Sequence, residues 1–236
     1  MSSNALTDLG WRPFFQQQLG IDEMADTVPA RVVTVQRSGV CVDDGTTEWE
    51  IPLGGRLLKA PSEMRPTVGD WVLVAADRQS IVRVLERESV FRRLAAGEQV
   101  DVQLIAANVD VLFVVTSANE EFNVSRLERY LALAYDVGVQ PVVIITKADL
   151  TARGDEFLDA AKRLRPGLPV ELVNALDAAD LARVRAWCGR GQTVALLGSS
   201  GVGKSTLLNT LAGRAVQATA GIRTSDSSGR HTTTHR

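Results

Sequence analysis

Cysteine and histidine are scarce in this chain of 236 residues, and their scarcity excludes several kinds of protein. The two cysteines, Cys41 and Cys188, lie far apart in the sequence, and the two histidines, His231 and His235, come near its end. Two distant cysteines cannot form a disulfide framework, and together with these histidines they do not have the spacing of a zinc site. The composition therefore predicts a protein of a reducing compartment, with no zinc ligands in this chain.

Long apolar runs are also missing, and neither sign of charge dominates. No uninterrupted apolar stretch approaches the ~20 residues that a membrane-spanning helix needs. Residues 1–8 have neither the basic nor the apolar region of a secretory signal. The 26 Lys and Arg residues nearly balance the 28 Asp and Glu residues, which excludes a strongly basic body that binds nucleic acid by charge alone. We therefore expect a soluble, cytoplasmic protein with no membrane partner.

The first part of the chain consists of a polar and aromatic extension followed by short strands. Hydrophobic residues make up 45% of the chain, enough for a folded core in one or two domains. In the N-terminal extension, residues 1–27, four apolar residues suit either one face of a docked helix or an exposed, frayed segment: Trp11, Phe14, Phe15 and Leu19. Alternating strands then follow at 31–36, 40–42, 47–51, 70–74 and 80–85. Because closure removes exposed strand edges, residues 28–95 are predicted to form a small β-barrel of the OB or SH3 type.

Residues 96–236 have a different rhythm, in which strands alternate with helices. Near-continuous apolar segments at 109–115, 142–145, 170–173 and 193–197 indicate strands that are buried on both faces. Ser125 and Glu128 have the spacing of a capping box, which predicts a helix from 125 to about 137 that ends at Gly138. Further helical segments are expected at 157–164 and 207–211. This pattern predicts an α/β domain with a mostly parallel sheet.

A phosphate-binding loop follows the last of these strands. The motif G-x-x-x-x-G-K-[ST] is formed by Gly198, Ser199, Ser200, Gly201, Val202, Gly203, Lys204 and Ser205, with Thr206 next in the helix. Its glycines let backbone N–H groups surround a phosphate at the positive end of a helix. We expect Lys204 to reach the outer phosphates and the Ser205 hydroxyl to bind Mg²⁺. The alternative is a glycine-rich turn with an incidental lysine.

Two further segments are candidates for recognition of the base. The first, Thr146-Lys147-Ala148-Asp149, follows the 142–145 strand and resembles the [NT]-K-x-D motif of GTPases, with Thr in place of the usual Asn. The Asp149 carboxylate can accept hydrogen bonds from the N1–H and N2–H₂ groups of guanine, whereas adenine has no donor at N1. The aliphatic part of Lys147 can cover the face of the base. A solvated helix start is the alternative, and an ATP-using P-loop enzyme is the competing function.

The second segment, Asn174-Ala175-Leu176, resembles the third base-contacting loop of GTPases, in which Ser usually precedes Ala. There the Ala N–H contacts the guanine carbonyl oxygen; an ordinary turn is the alternative. Both base-reading segments precede the phosphate loop, whereas ordinary GTPases have the reverse order. The order predicts a circularly permuted GTPase domain.

The barrel, the permuted order and the segment Gly229-Arg230-His231-Thr232-Thr233-Thr234 together resemble the ribosome small subunit-dependent GTPase A family, RsgA/YjeQ. The resemblance implies an OB-fold that contacts the small (30S) ribosomal subunit and its rRNA. It also implies a monomeric GTPase that uses GTP and Mg²⁺ and is stimulated by the subunit in late maturation. By the same resemblance, His231 assists hydrolysis and Thr233 binds Mg²⁺. Lys204 is a second catalytic candidate, because the phosphate-loop lysine stabilises charge on the transferred phosphoryl group.

The sequence departs from the family pattern after the first switch. Family members continue into a D-x-P-G switch and a zinc-binding domain, whereas this chain stops at Arg236, so a truncated chain is expected, with zinc only in the missing domain. Asp226-Ser227-Ser228-Gly229 matches D-x-x-G but is interpreted as part of the first switch. The alternative function is therefore a guanine-nucleotide-dependent rRNA-binding module that does not hydrolyse GTP. Seven cations form either an rRNA-binding face or an ordinary solvated surface: Arg31, Arg37, Arg56, Lys59, Arg65, Arg92 and Arg93.

Overall fold

The structure, a computed structural model, describes residues 3–94 and 102–217. Within these residues the chain divides into two compact units. The first contains the chain up to Val109 together with Arg190–Thr193, and the second contains Asp110–Gly189 and the described residues from Val194 onward. No helix among the described residues is long and apolar enough to cross a membrane.

The first unit is built on a five-stranded antiparallel sheet with the order β3-β2-β1-β4-β5. Its strands are β1 (Thr27–Val35), β2 (Gly39–Asp43), β3 (Glu48–Pro52), β4 (Trp71–Ala75) and β5 (Ile81–Val84). Its helices are α1 (Ser3–Asp8), α2 (Pro13–Gln16), α3 (Ile21–Asp26) and α4 (Gly55–Lys59), and a 3₁₀ turn spans Ser62–Met64. All five strands lie where the sequence predicts strands.

One face of this sheet forms a shared core. Strands β1 to β4 supply its buried members, and Ile81 and Val84 of β5 pack against them. The buried members are Ala30, Val32, Val40, Val42, Ile51, Val72 and Val74. Because side chains alternate along a strand, Val72 and Val74 of β4 enter this cluster while Trp71 and Leu73 point to the opposite face. No pairing joins the outer strands β3 and β5 in the described part of the chain. The arrangement fits a partly open, five-stranded barrel of the OB type rather than the fully closed barrel that we expected.

The N-terminal extension covers the opposite face of the sheet. Phe15 is fully buried, and it packs with Leu6, Trp71 and Leu73. The four apolar residues that the sequence singles out all belong to this cluster or pack against it, so the segment is neither frayed nor merely solvated. They do not share one helix, because the chain turns between α1, α2 and α3. Gly10, whose φ of +93° suits glycine, lies at the first of these turns.

Arg31 is wrongly grouped with the surface cations. It is 8% exposed, its guanidinium lies 5.6 Å from the ring of Trp71, and it donates hydrogen bonds to the carbonyls of Leu9 and Asn108. The side chain therefore stabilises the packed extension and does not present its charge to solvent.

An antiparallel pair completes the first unit. Strand β6 (Val90–Leu94) pairs with β7 (Val102–Ala107), and β7 lies in the region for which the sequence predicts strands that alternate with helices. Residues of β7 are mostly half-buried, so they do not form the continuous apolar run that identifies a central strand. The sequence places the domain boundary after residue 95, but this pairing extends the first unit to Val109.

The second unit is the predicted parallel sheet, with the order β10-β9-β8-β11. Its strands are β8 (Val111–Ser117), β9 (Gln140–Thr146), β10 (Val170–Leu172) and β11 (Val194–Leu197). Its helices are α5 (Val124–Asp136), α6 (Gly154–Lys162), α7 (Ala182–Arg185) and α8 (Lys204–Ala212). Every residue of β8 is buried, as expected for a central strand with both faces covered.

The ends of the helices show one wrong prediction and two correct ones. The cap of α5 is Asn123, whose side-chain oxygen accepts a hydrogen bond from the Arg126 N–H at 2.9 Å. Ser125 lies inside the helix, because an Asx cap two residues earlier already satisfies the first turn. Gly138 and Gly213 have φ values of +72° and +66°, and each follows the end of a helix as predicted.

Candidate nucleotide-binding site

Loops that follow parallel strands meet at one edge of the second unit. The phosphate loop follows β11, the Thr146–Asp149 segment ends β9, and the Asn174–Leu176 segment comes after β10. Since the carboxyl ends of parallel strands point the same way, all three loops lie on the side of the sheet where α/β proteins bind ligands.

The phosphate loop connects β11 to α8 and needs its glycines. A Cβ on Gly198 would lie 2.2 Å from the backbone oxygen of Val115, closer than atoms can approach. Gly203 has a φ of +93°, and a Cβ there would lie 3.3 Å from the Thr146 hydroxyl oxygen. Among the described residues, no acceptor bonds the N–H groups of Ser200, Gly201 or Gly203. Unpaired N–H groups before a helix are the donors that a phosphate requires.

Lys204 lies over this loop. Its Nζ donates to the carbonyl of Gly198 at 2.9 Å and to that of Ser199 at 2.5 Å. An ammonium group has three donors, so one remains for a phosphate. Burial lowers the pKa of Lys204, and no carboxylate of the described residues opposes this effect. Two backbone carbonyls thus hold the Lys204 ammonium in place, and its positive charge is not balanced by a carboxylate of the described residues.

The donor set near the loop suits Mg²⁺ bound chiefly through a nucleotide. Ser205 supplies a hydroxyl in the first turn of α8. In the part of the chain that the structure describes, no group of three or more acidic, His or Cys side chains could hold a metal by itself. Magnesium typically takes one or two protein oxygens together with phosphates and water, so Ser205 fits such a role.

Thr146 connects the first base-reading segment to the phosphate loop. Its side chain is fully buried, and its hydroxyl lies 2.6 Å from the carbonyl oxygen of Val202 and 3.1 Å from that of Thr116. One hydroxyl has one proton, so the shorter contact with Val202 is the stronger hydrogen bond. This bond holds two segments together that are 56 residues apart in the sequence.

The rest of this segment presents one buried and one exposed charge. Lys147 has a φ of +61°, a left-handed conformation that is uncommon for a residue with a side chain. It is 9% exposed, and burial lowers its pKa, although the negative charge of Glu121 opposes the shift. A 3₁₀ turn, Ala148–Leu150, carries Asp149, whose carboxylate is exposed and accepts no hydrogen bond from the described residues. It can therefore accept hydrogen bonds from a base.

The third loop is fixed by contacts on both sides. The Asn174 N–H donates to the Asp180 carboxylate at 2.5 Å, and the Asn174 side-chain oxygen accepts from the Leu176 N–H at 3.0 Å. The Thr210 hydroxyl of α8 donates to the Ala175 carbonyl at 2.7 Å. No acceptor for the Ala175 N–H is found among residues 3–94 and 102–217, so this donor remains for a ligand. Leu176 is 74% exposed.

The structure also reveals a fourth loop that the sequence does not identify. Residues 118–123 follow β8 and include Glu121, which pairs with Arg126 in the first turn of α5; Arg126 in turn contacts Ser199 of the phosphate loop. Only their position after a central strand could have marked them. His231, Thr233 and the Asp226–Gly229 segment lie outside the described residues.

Known proteins resemble this chain in sequence and in fold. The sequence profile of the RsgA GTPase family matches residues 84–236. A relative from Vibrio parahaemolyticus, "Small ribosomal subunit biogenesis GTPase RsgA 2", is 49% identical over 235 residues, which are all of this chain and 64% of that protein. The RsgA protein of Mesorhizobium japonicum is 44% identical over 238 residues, again across the whole chain and 67% of its own length.

Two solved structures share the fold. The crystal structure of YjeQ from Thermotoga maritima matches with a TM-score of 0.63 and 23% identity, over 78% of this chain and 65% of that one. The structure of YloQ, described as a circularly permuted GTPase, matches with a TM-score of 0.57 and 25% identity, over 78% and 63% of the two chains. The chain spans about two thirds of the length of these proteins. On the profile match and the two relatives, the chain belongs to the RsgA GTPase family.

Proposed function

We propose that this chain binds GTP and GDP and belongs to a GTP hydrolase that acts in maturation of the small ribosomal subunit. The hydrogen bond from Thr146 to Val202 is the observation that carries the proposal, because it joins the base-reading segment to the phosphate loop. The names of the relatives support the ribosomal role. Because the chain spans 64% of the first relative, the activity of the whole protein is part of the proposal.

The guanine base is recognised by two groups with unused hydrogen-bonding capacity. The Asp149 carboxylate accepts from N1–H and N2–H₂ of the base, and the Ala175 N–H donates to its carbonyl oxygen. Adenine offers no donor at N1 and no carbonyl oxygen, so both groups would lose their partners, and a site of this kind discriminates strongly. The Lys147 stem covers one face of the ring.

The phosphates are held by the loop N–H groups and by Lys204. Hydrolysis is in-line attack by water, in which Lys204 stabilises charge on the transferred phosphoryl group. Ser205 would hold Mg²⁺, which neutralises phosphate oxygens when bound, and Thr233 is the second protein ligand that the resemblance implies. His231 orients or polarises the attacking water, since an imidazole can exchange protons near neutral pH.

The partner is the small ribosomal subunit with its rRNA, and the protein acts as a cytoplasmic monomer. The barrel of the first unit supports this partner, since OB-folds commonly bind oligonucleotides. Arg31 is not part of the contact, because it is buried.

Phosphate release from GTP by this chain, with and without small ribosomal subunits, tests the proposal. Slow release that subunits accelerate is expected, because the switch must be ordered before charge is stabilised. Tight GDP binding without any release would favour the alternative, a nucleotide-dependent binding module.

A further inference from the structure

The loop after β8 is fixed by its own side chains. The Asn119 side-chain oxygen accepts from the Ser117 hydroxyl at 2.8 Å and from the Glu121 N–H at 3.0 Å. Asn123 then caps α5 and bonds the N–H of Arg126. Because β8 lies between β9 and β11, this loop stands between the base-reading segment and the phosphate loop.

Arg126 connects this loop to the phosphate loop. Its Nη1 lies 3.2 Å from Oε2 of Glu121 and also donates to the hydroxyl of Ser199. Glu121 in turn acts electrostatically on Lys147, whose pKa it tends to raise. The Glu121 carboxylate therefore interacts with Lys147 of the base-reading segment and with Arg126, which contacts the phosphate loop.

Ser199 is the point at which this contact reaches Lys204. Its hydroxyl accepts from Arg126, and its carbonyl accepts from the Lys204 ammonium at 2.5 Å. A displaced Ser199 would therefore displace an acceptor that holds the phosphate-binding lysine. A guanidinium can bond Glu121 and Ser199 together because it presents several donors in a fixed plane.

We propose that Arg126, oriented by Glu121, is a positioning residue of the nucleotide site that fixes Ser199 and, through it, Lys204. The inference rests on the proposed function and adds a residue to that site. The Arg126 and Glu121 side chains are 32% and 24% exposed, and a partly exposed ion pair contributes little to folding. The contact thus matters for ligand affinity rather than for stability.

Titration calorimetry with GDP on the full chain tests this role in a double-mutant cycle of Arg126→Gln and Ser199→Ala. Each single variant is expected to raise the Kd for GDP about three- to tenfold, which corresponds to the net contribution of one typical hydrogen bond. The double variant should be no weaker than the weaker single variant, because both changes break the same contact. Urea midpoints should stay at the parent value.

Arg129→Gln is the matched control, since Arg129 is an exposed arginine one turn further along α5. Its Kd should equal that of the parent. Three results would each overturn the inference and leave the proposed function intact. Arg126→Gln could bind GDP as the parent does, the effects of the two substitutions on the Kd could multiply in the double variant, or affinity could fall only in proportion to the unfolded fraction. A parent chain that binds no GDP would overturn both.

Discussion

Thr146 joins two segments 56 residues apart through one hydroxyl group. The sequence predicts this residue as part of the base-reading motif, but it cannot show that the hydroxyl bonds the phosphate loop. Gly203 approaches the same hydroxyl closely, since a Cβ at this position would lie only 3.3 Å from the Thr146 oxygen. The Thr146 hydroxyl and the small Gly203 thus allow the base-reading segment and the phosphate loop to pack closely.

Replacement of Thr146 by Val keeps the shape of the side chain and removes the donor. Because the Val202 carbonyl then lacks this donor in a buried place, we expect a loss of about 1–3 kcal/mol in the free energy of unfolding. GDP binding should weaken as well. Urea denaturation and calorimetry measure the two effects. Thr146→Ser, which keeps the hydroxyl, should retain most of the GDP affinity; equal losses in both variants would contradict this role.

At the scale of elements, apolar runs predict the strands well and polar caps predict the helix ends less well. Strands β8 and β9 are buried along almost their whole length, so their apolar sequences alone identify them as central strands. The start of α5 was mispredicted because Asn123 and Ser125 both resemble caps, and only the backbone conformation distinguishes them. The pair β6–β7 was missed because it is half-buried.

The position of this cap can be tested by matched substitutions. Asn123→Ala removes the acceptor for the Arg126 N–H and should cost about 1 kcal/mol of unfolding free energy. Ser125→Ala should change it by less than about 0.5 kcal/mol, since alanine is favourable inside a helix. Thermal or urea unfolding of both variants compares them. A larger effect at Ser125 would restore the predicted capping box.

An ion pair between α3 and β5 makes the stability of the first unit depend on pH. Arg83 donates to both oxygens of Glu23 at 2.7 and 2.9 Å, which together with the Gly20 N–H lowers the pKa of Glu23 from 4.5 to about 2. A lowered folded-state pKa stabilises the fold above the unfolded value and loses this contribution as the pH falls.

Urea denaturation across a pH series should therefore show a small part of the parent's stability disappearing between pH 4.5 and pH 2, small because the pair is partly exposed to solvent. Glu23→Gln should lack this part of the pH dependence, and Arg83→Gln should lose the larger share of it, because the Gly20 N–H still bonds the Glu23 carboxylate. A Glu23→Gln profile parallel to that of the parent would show that the pair does not stabilise the fold.

For the whole molecule, the α/β class, the parallel sheet and the family are predictable from the sequence, because each depends on short motifs or apolar runs. The contact of Arg126 with Ser199 and the burial of Arg31 are not predictable in this way, since both depend on residues distant in the sequence. The order of the loops was informative because strands β10-β9-β8-β11 bring them to one edge whichever loop comes first in the chain.

The proposed function requires one pocket, built from the base-reading segment and the phosphate loop, that selects guanine. Calorimetric titration of the chain with GDP, ADP and xanthosine diphosphate tests it most directly, in the parent and in Asp149→Asn. We expect the parent to bind GDP at least ~100-fold more tightly than ADP. Asp149→Asn should lose affinity for GDP and gain affinity for xanthosine diphosphate, because the additional carbonyl of xanthine accepts a hydrogen bond from the new amide. Equal binding of GDP and ADP by the parent, or no binding of either, would show that this pocket does not select guanine.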